Sequence, residues 1–236
     1  MISFILAVKD YDHRLGFFIE SYNQFSHTIH KELIIVASVE NFQDFKKTYS
    51  DETITVIYQR PNGIYNAYNC GIENAKFDWL MFFGQDDIIL PSLAFIFVSR
   101  NLVDYDIIVN PVVFGKDGTL YPIKNYLGLI FKNWCHQGVI YRKQVFLDRN
   151  FDQKYVIQGD HEFNIYASKV YRVNYTSLVV SYFSTDGTSQ LHTDQVFKQD
   201  MHSIIRNNFG VFPMILSVIR GMIGSVMRRL NKERAT

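Results

Sequence analysis

The sequence predicts an α/β domain with a mostly parallel central sheet flanked by helices. Two observations carry this: short apolar runs of strand length recur through the first third, and segments with helical apolar spacing separate them. Residues 2–8 form an apolar run ending in charged residues, the pattern of a fully buried strand. Leu15, Phe18, Ile19 and Tyr22 then recur at helical spacing. Residues 33–37 (LIIVA) make a second strand, 42–49 a short polar helix, and 53–58 (TITVIY) a third strand rich in β-branched residues. Asn62-Gly63 turns the chain into a helix over 65–76, and 79–83 is the fourth strand.

After Pro91 the pattern loosens. A helix is expected over 91–100, because proline is tolerated in a first helical turn. Short strands follow at 107–109, 112–114 and 119–123, the last two joined by a turn at Lys116-Asp117-Gly118. A strand at 139–142, a helix over 160–170 and strands near 172–175 and 178–183 complete the second half. Neither an internal repeat nor a low-complexity segment interrupts this order.

The 236 residues suit one large α/β domain with a small appendage, and 47% hydrophobic residues exclude general disorder. With 24 Lys+Arg against 23 Asp+Glu, a chain-wide electrostatic grip on nucleic acid is excluded. Cys70 and Cys135 have neither disulfide-scaffold nor zinc-module spacing, and read as reduced thiols of a cytosolic protein. The first residues read as a buried strand, not a signal peptide, and no apolar stretch is long enough to span a bilayer.

The end of the chain differs in kind. Phe212, Ile215, Leu216, Ile219, Ile223, Val226, Met227 and Leu230 make one apolar stripe of a helix, with Ser217, Arg220, Gly221, Gly224 and Arg228 opposite. From 211 onward there are five basic residues and one acid, which leaves 19 basic against 22 acidic residues in the preceding 210. A basic amphipathic helix on a mildly acidic body suits in-plane contact of 212–230 with a membrane. It also suits docking on the domain itself or on a second copy.

In open α/β sheets, ligands bind beyond the carboxyl ends of the strands. There the sequence places Lys9 and Asp10, then Ser38 to Glu40, then Arg60 to Gly63, and finally Gly84-Gln85-Asp86-Asp87. Adjacent carboxylates repel unless a cation or proton relieves them. One or two carboxylates with substrate phosphates are a usual shell for Mg²⁺. The alternative is a solvated turn that caps the helix at Pro91. His136-Gln137 reads equally as a hydrogen-bonded structural pair, Asp160 as a helix cap, and Arg142-Lys143 as a diphosphate contact or a surface pair.

The stretch RPNGIYNAYNCGIENAKFDWLMFFGQDDIILP resembles the core of the family 2 inverting glycosyltransferases, with Gly63, Ile64, Tyr65, Ala67, Asn69, Gly71 and Ile72 in register. CHQGVIYRKQVF and FDQKYVIQGDHEFNIYASK are similar to that family's His-Gln and acidic-base segments, so the resemblance spans about 2–190. It implies a GT-A, Rossmann-like fold: a nucleotide-sugar half over 1–90, an acceptor half over 91–210, and the amphipathic tail over 211–236. It implies donor contacts from Ala7, Lys9, Glu40, Arg60, Gly63, Asn66 and Asp86, and sugar or acceptor contacts from His136 and Gln137. Asp86 and Asp87 would hold Mn²⁺ or Mg²⁺, and Asp160 would be the general base of a single inverting displacement. By the same resemblance the donor is a nucleotide sugar, UDP-linked, and the acceptor a glycan or a polyprenyl-diphosphate-linked one, at the inner face of the cell membrane. A loop at Thr185-Asp186-Gly187-Thr188-Ser189 would close over the donor.

Three carboxylates of the family pattern are changed. ASVENF at the second strand end leaves only Glu40, and Pro61 and Asn66 replace acids. Against that pattern, either the donor is held differently, through Arg60, Asn62, Asn66 and backbone amides, or the site is weak. A second reading stays open: a non-catalytic, membrane-associated relative that binds or scaffolds.

Overall fold

In the computed structural model, which describes residues 1–99, 102–115, 118–121, 125–184 and 194–233, the apolar run at 2–8 is an interior strand of the main sheet. The first half runs β1 (Ile2–Val8), α1 (Arg14–Gln24), β2 (Lys31–Ala37), α2 (Phe42–Tyr49), β3 (Ile54–Tyr58), α3 (Ile64–Asn74) and β4 (Trp79–Gly84). The second runs β5 (Ile88–Ile89), α4 (Ala94–Ser99), β6 (Ile107–Val109), β7 (Val112–Phe114), β8 (Thr119–Tyr121) and β9 (Val139–Arg142). It ends with α5 (Gly159–Val170), β10 (Val173–Tyr175), β11 (Ser181–Phe183), α6 (Gln195–Phe209) and α7 (Val211–Glu233).

Among the described residues the main sheet has seven strands in the order β10-β6-β9-β4-β1-β2-β3, and β5-β11-β7-β8 form a second, smaller sheet. All neighbours in the main sheet are parallel except β9, which runs antiparallel to both β4 and β6. β1, β2 and β4 are largely apolar because helices cover both of their faces, and the buried Ser3 of β1 is satisfied by Glu32 of β2. On one face Ile5, Ile34, Val36 and Phe82 pack under α3, α5 and α6. On the other, Phe4, Leu6, Ile35 and Phe83 pack under α1, α2 and α4.

The expected α/β class holds, with local corrections. The helix expected over 91–100 is a 3₁₀ turn at Pro91–Leu93 followed by α4. The strand expected at 178–183 begins only at Ser181, because Val180 spends its N–H on Pro111 and its carbonyl on Leu90. Of the hairpin between β7 and β8, Phe114 pairs with Thr119 and Gly118 takes φ 64°, while 116–117 lie outside the described residues, as do 122–123 of the expected strand.

Sequence reading passed over α6. Its apolar side is Phe197, Met201, Ile204 and Ile205, at helical spacing, and Asp194 caps it by accepting from the Phe197 N–H at 3.1 Å. The other Asp194 oxygen accepts from the N–H groups of Val156, Ile157 and Gln158, the segment leading into α5. Burial opposes ionisation of this carboxyl, but the four N–H donors together hold it below its usual range.

α3 approaches β1 closely at Gly71, where an added Cβ would lie 2.3 Å from Ile5 Cγ2. Gly71→Ala should therefore cost about 1–3 kcal/mol through overpacking. Gly16→Ala, in open space on α1, should gain about 0.5–1 kcal/mol from helix propensity. Urea unfolding of both variants checks the pair, and equal effects would contradict the packing described.

Candidate active site

At the carboxyl end of β4 the chain folds back on itself. The Asp87 N–H donates to the Gly84 carbonyl at 3.3 Å, and the Gly84 N–H donates to Asp87 Oδ2 at 2.7 Å. This turns the Asp87 side chain inward, where Gln137 Nε2 donates to Oδ2 at 3.0 Å and the Ser184 N–H donates to Oδ1 at 3.3 Å. Burial, and then the neighbouring Asp86 charge, push the Asp87 carboxyl up to about 7, against those three hydrogen bonds.

Asp86 turns the other way. Its Oδ2 lies 3.6 Å from Arg14 Nη1, and Arg14 is itself held by Asp12 through Nε at 3.0 Å and Nη2 at 2.7 Å. Gln85 Nε2 donates to the Asp10 carbonyl at 2.6 Å, which ties this turn to the loop after β1. The two acids converge over Gly84: a Cβ there would sit 3.0 Å from Asp86 Oδ1 and 3.4 Å from Asp87 Oδ2. A small space between two carboxylate oxygens fits a hard divalent cation. Among the described residues no group of three or more His, Cys, Asp or Glu side chains could hold a metal ion.

The third acid, Asp160, stands in the first turn of α5. Tyr65 donates its hydroxyl to Oδ1 at 2.7 Å, and Asn133 Nδ2 donates to Oδ2 at 2.6 Å. The Tyr65 hydroxyl also meets the Ile157 carbonyl. Gly159 makes room for the Tyr65 ring, since a Cβ there would lie 2.8 Å from it. His136 Nδ1 lies 3.5 Å from Asp160 Oδ2, and the imidazole is stacked on Tyr68 at 5.1 Å between centroids. Both His136 nitrogens are buried without a hydrogen-bond partner among the described residues. Burial pushes this imidazole below its usual range, against the opposing pull of Asp160.

His136 and Gln137 thus join the acids, one residue reaching Asp160 and the next reaching Asp87. The 3₁₀ turn that carries them is pressed onto the body at Gly138, where a Cβ would come within 2.3 Å of the Asn110 carbonyl. The structure therefore gathers Asp86, Asp87, His136, Gln137 and Asp160.

The other expected donor residues lie at or near the carboxyl ends of β1, β2 and β3 and at the start of α3. Ala7 lies in register between Val36 and Gly84. Glu40 is exposed beside a cleft of about 510 Å³ at the ends of β2 and β3, lined also by Ser38, Phe42, Tyr58 and Pro61. Gly63 takes φ 83° to start α3, and Asn66 accepts from Gln59 and donates to Gln153 at 3.1 Å. Lys9 and Arg60 are exposed at their strand ends, outside the carboxylate network.

Arg142 and Lys143 are both engaged by the protein's own backbone. Arg142 stacks over Trp79 at 4.7 Å and donates to the Leu102 and Tyr105 carbonyls, and Lys143 Nζ donates to the Ala75 carbonyl at 2.6 Å. Trp79 begins β4, so both lie at the sheet edge opposite the site. The loop expected to close over the donor, 185–189, lies outside the described residues. Sequence reasoning missed Tyr65 as a site residue, although it stands in the quoted run, and missed Asn133 and Arg14, for which no local signal exists.

The Glycosyl transferase family 2 profile matches residues 3–177. Curated relatives include the PGL/p-HBAD biosynthesis glycosyltransferases of Mycobacterium tuberculosis and Mycobacterium bovis, 29% identical over 159 residues. The match covers 62% of this chain and 60% of theirs. Among solved structures, S. aureus TarS 1–349 in complex with UDP-GlcNAc superposes with a TM-score of 0.66 at 16% identity, over 92% of this chain and 66% of that one. Its complex with UDP gives 0.64 at 15% identity, over 92% and 65%. The chain thus spans less than two thirds of these proteins. The likeness shows the fold, and the GT-A architecture expected from the sequence is borne out.

The environment of Asp87 has a pH consequence. Between the ordinary value of 3.8 and about 7 the folded chain keeps a proton that the unfolded chain releases. Its contribution is most favourable below the unfolded value and falls as pH rises to about 7, by at most ~4 kcal/mol. Denaturation in EDTA across this range should show that slope, and Asp87→Asn should flatten it. An unchanged slope in the variant would assign the titration to another group.

Proposed function

The chain belongs to glycosyl transferase family 2, and from that premise we propose that it transfers a sugar from a nucleotide-sugar donor to a hydroxyl of a glycan acceptor. The reaction proposed is a single in-line displacement at the anomeric carbon, with inversion. The observation that carries it is the placement of Asp160: a carboxylate fixed by Tyr65 and Asn133, joined through His136-Gln137 to two acids at the end of a central strand.

Asp160 acts as general base on the acceptor hydroxyl, a contribution of ~10²–10⁴-fold. Tyr65 suits both states of that base. It donates to the ionised carboxylate, and once Asp160 holds the acceptor's proton, Asp160 can donate to Tyr65 while Tyr65 donates to Ile157. His136, with two unpartnered nitrogens beside the base, offers a donor and an acceptor to a sugar hydroxyl. Asp86 and Asp87 would hold the cation, and Ala7, Lys9, Glu40, Arg60, Gly63 and Asn66 would border the donor. When bound, Mn²⁺ or Mg²⁺ would offset the negative charge of the diphosphate leaving group. UDP is the nucleotide favoured, because the TarS neighbours were solved with UDP-GlcNAc and UDP. The acceptor proposed is lipid-linked, presented at the inner face of the cell membrane to a peripheral cytoplasmic enzyme. No helix among the described residues is long and apolar enough to cross a membrane.

Thermal unfolding with UDP, GDP, dTDP and CMP, each with Mn²⁺, Mg²⁺ or EDTA, tests donor binding. A nucleotide at a hundred times its dissociation constant should add roughly 2.7 kcal/mol of stability, lost in EDTA and in Asp86→Ala. Asp160→Asn should keep this shift and lose transfer by about 10²–10⁴-fold. A folded protein that no nucleotide stabilises would favour the non-catalytic reading.

A further inference from the structure

Helix α7 turns its apolar side away from the protein. It meets the body through Met214 and Ser217, the latter 3.5 Å from His202 on α6. On the opposite side Phe212, Ile215, Ile219 and Ile223 are 71, 44, 48 and 59% exposed. This side continues onto the 3₁₀ segment Tyr126–Ile130 and the next residue, Phe131. Arg220 lies over the Phe131 ring at 4.8 Å, Tyr126 packs on Phe209, and Tyr126, Leu127 and Phe131 are 49, 44 and 42% exposed.

We propose that these two segments form one surface that docks in the plane of an anionic lipid bilayer. Charge selects this occupant over a second copy of the chain. From residue 211 onward five basic residues stand against one acid, so pairing two tails would bring like charges together. The same excess is attracted to an anionic surface. Arg220 suits the rim of such a contact, because it is exposed and its guanidinium lies on the half-exposed Phe131 ring, which places a positive charge beside the apolar surface.

The surface leads directly to the base. The Leu129 carbonyl accepts from His161 Nε2 at 2.7 Å, next to Asp160 on α5. Asn133, two residues and at most about 7 Å of chain beyond Phe131, donates to Asp160. Docking on 126–131 therefore sets the acceptor side of the site against the bilayer, an orientation that rests on the proposed transfer to a lipid-linked acceptor. The docking itself does not rest on it.

Co-sedimentation of the full chain with vesicles, without donor or acceptor, tests the surface. Binding to phosphatidylglycerol–phosphatidylcholine vesicles should exceed binding to phosphatidylcholine alone by about tenfold or more and weaken with salt. Two double variants, Ile215→Glu with Ile219→Glu and Leu127→Glu with Phe131→Glu, should each lose about tenfold of that binding. Phe95→Glu, on α4 and 61% exposed, should bind as wild type. All five side chains are exposed, so unchanged unfolding midpoints confirm that the variants fold. A folded wild type that ignores anionic vesicles overturns the proposal, as does a dimer broken by Ile215→Glu with Ile219→Glu. Loss of binding confined to the α7 variant overturns the shared surface. Vesicle binding persisting in a chain that transfers no sugar would refute the proposed function alone.

Discussion

The buried carboxylate of Asp87 is the interaction on which the site depends. It draws one N–H from the end of β4, one side-chain amide from the 3₁₀ turn before β9, and one N–H from the end of β11. These elements belong to both sheets and lie 3, 50 and 97 residues from Asp87 in the chain. Burying a carboxylate is unfavourable unless such donors surround it. The local fold is thus compelled to bring β4, the His136-Gln137 turn and β11 together, and removing the acid would leave three inward donors without their shared acceptor.

Adjacency in sequence turns that constraint into a coupling between two parts of the site. His136 and Gln137 are neighbours on a short turn that Gly138 presses against Asn110, so neither can move far alone. One faces Asp160 and the other faces Asp87. The distance from the acid pair at β4 to the acid on α5 is therefore set by a rigid turn, not by a mobile loop. Asp194 adds a second brace, because one carboxylate caps α6 and holds the backbone at 156–158 that delivers Asp160.

What could be read from the sequence follows the range of the interactions. β1, β2 and β4 were legible because burial on both faces leaves short, mostly apolar runs of strand length. Asp86-Asp87 was legible by its place after such a run. The division of labour within the pair was not, because it depends on Gln137 and Ser184 approaching from far away. Tyr65 and Asp160 are separated by 95 residues, and no local pattern announces their contact. The antiparallel direction of β9 was equally invisible, since a four-residue apolar strand reads the same in either direction. Helix α6 is the reverse case: its spacing and its Asp194 cap were present, and only the weak pattern around them hid it.

The adjacent acids at the end of β4 set one another's chemistry. Asp86 and Asp87 repel, and desolvation makes the repulsion costly for the one that has lost its water. Asp87 shows the result directly in a carboxyl pushed up to about 7 by burial and by Asp86. Arg14 offsets part of the charge, but it is already divided between Asp12 and Asp86. A divalent cation arriving over Gly84 would relieve both carboxylates at once and favour the ionised form of Asp87. A diphosphate would complete the shell that the protein side chains cannot close. The geometry comes from a turn of four residues, Gly84 to Asp87, whose one residue without a side chain leaves the space between the acids open.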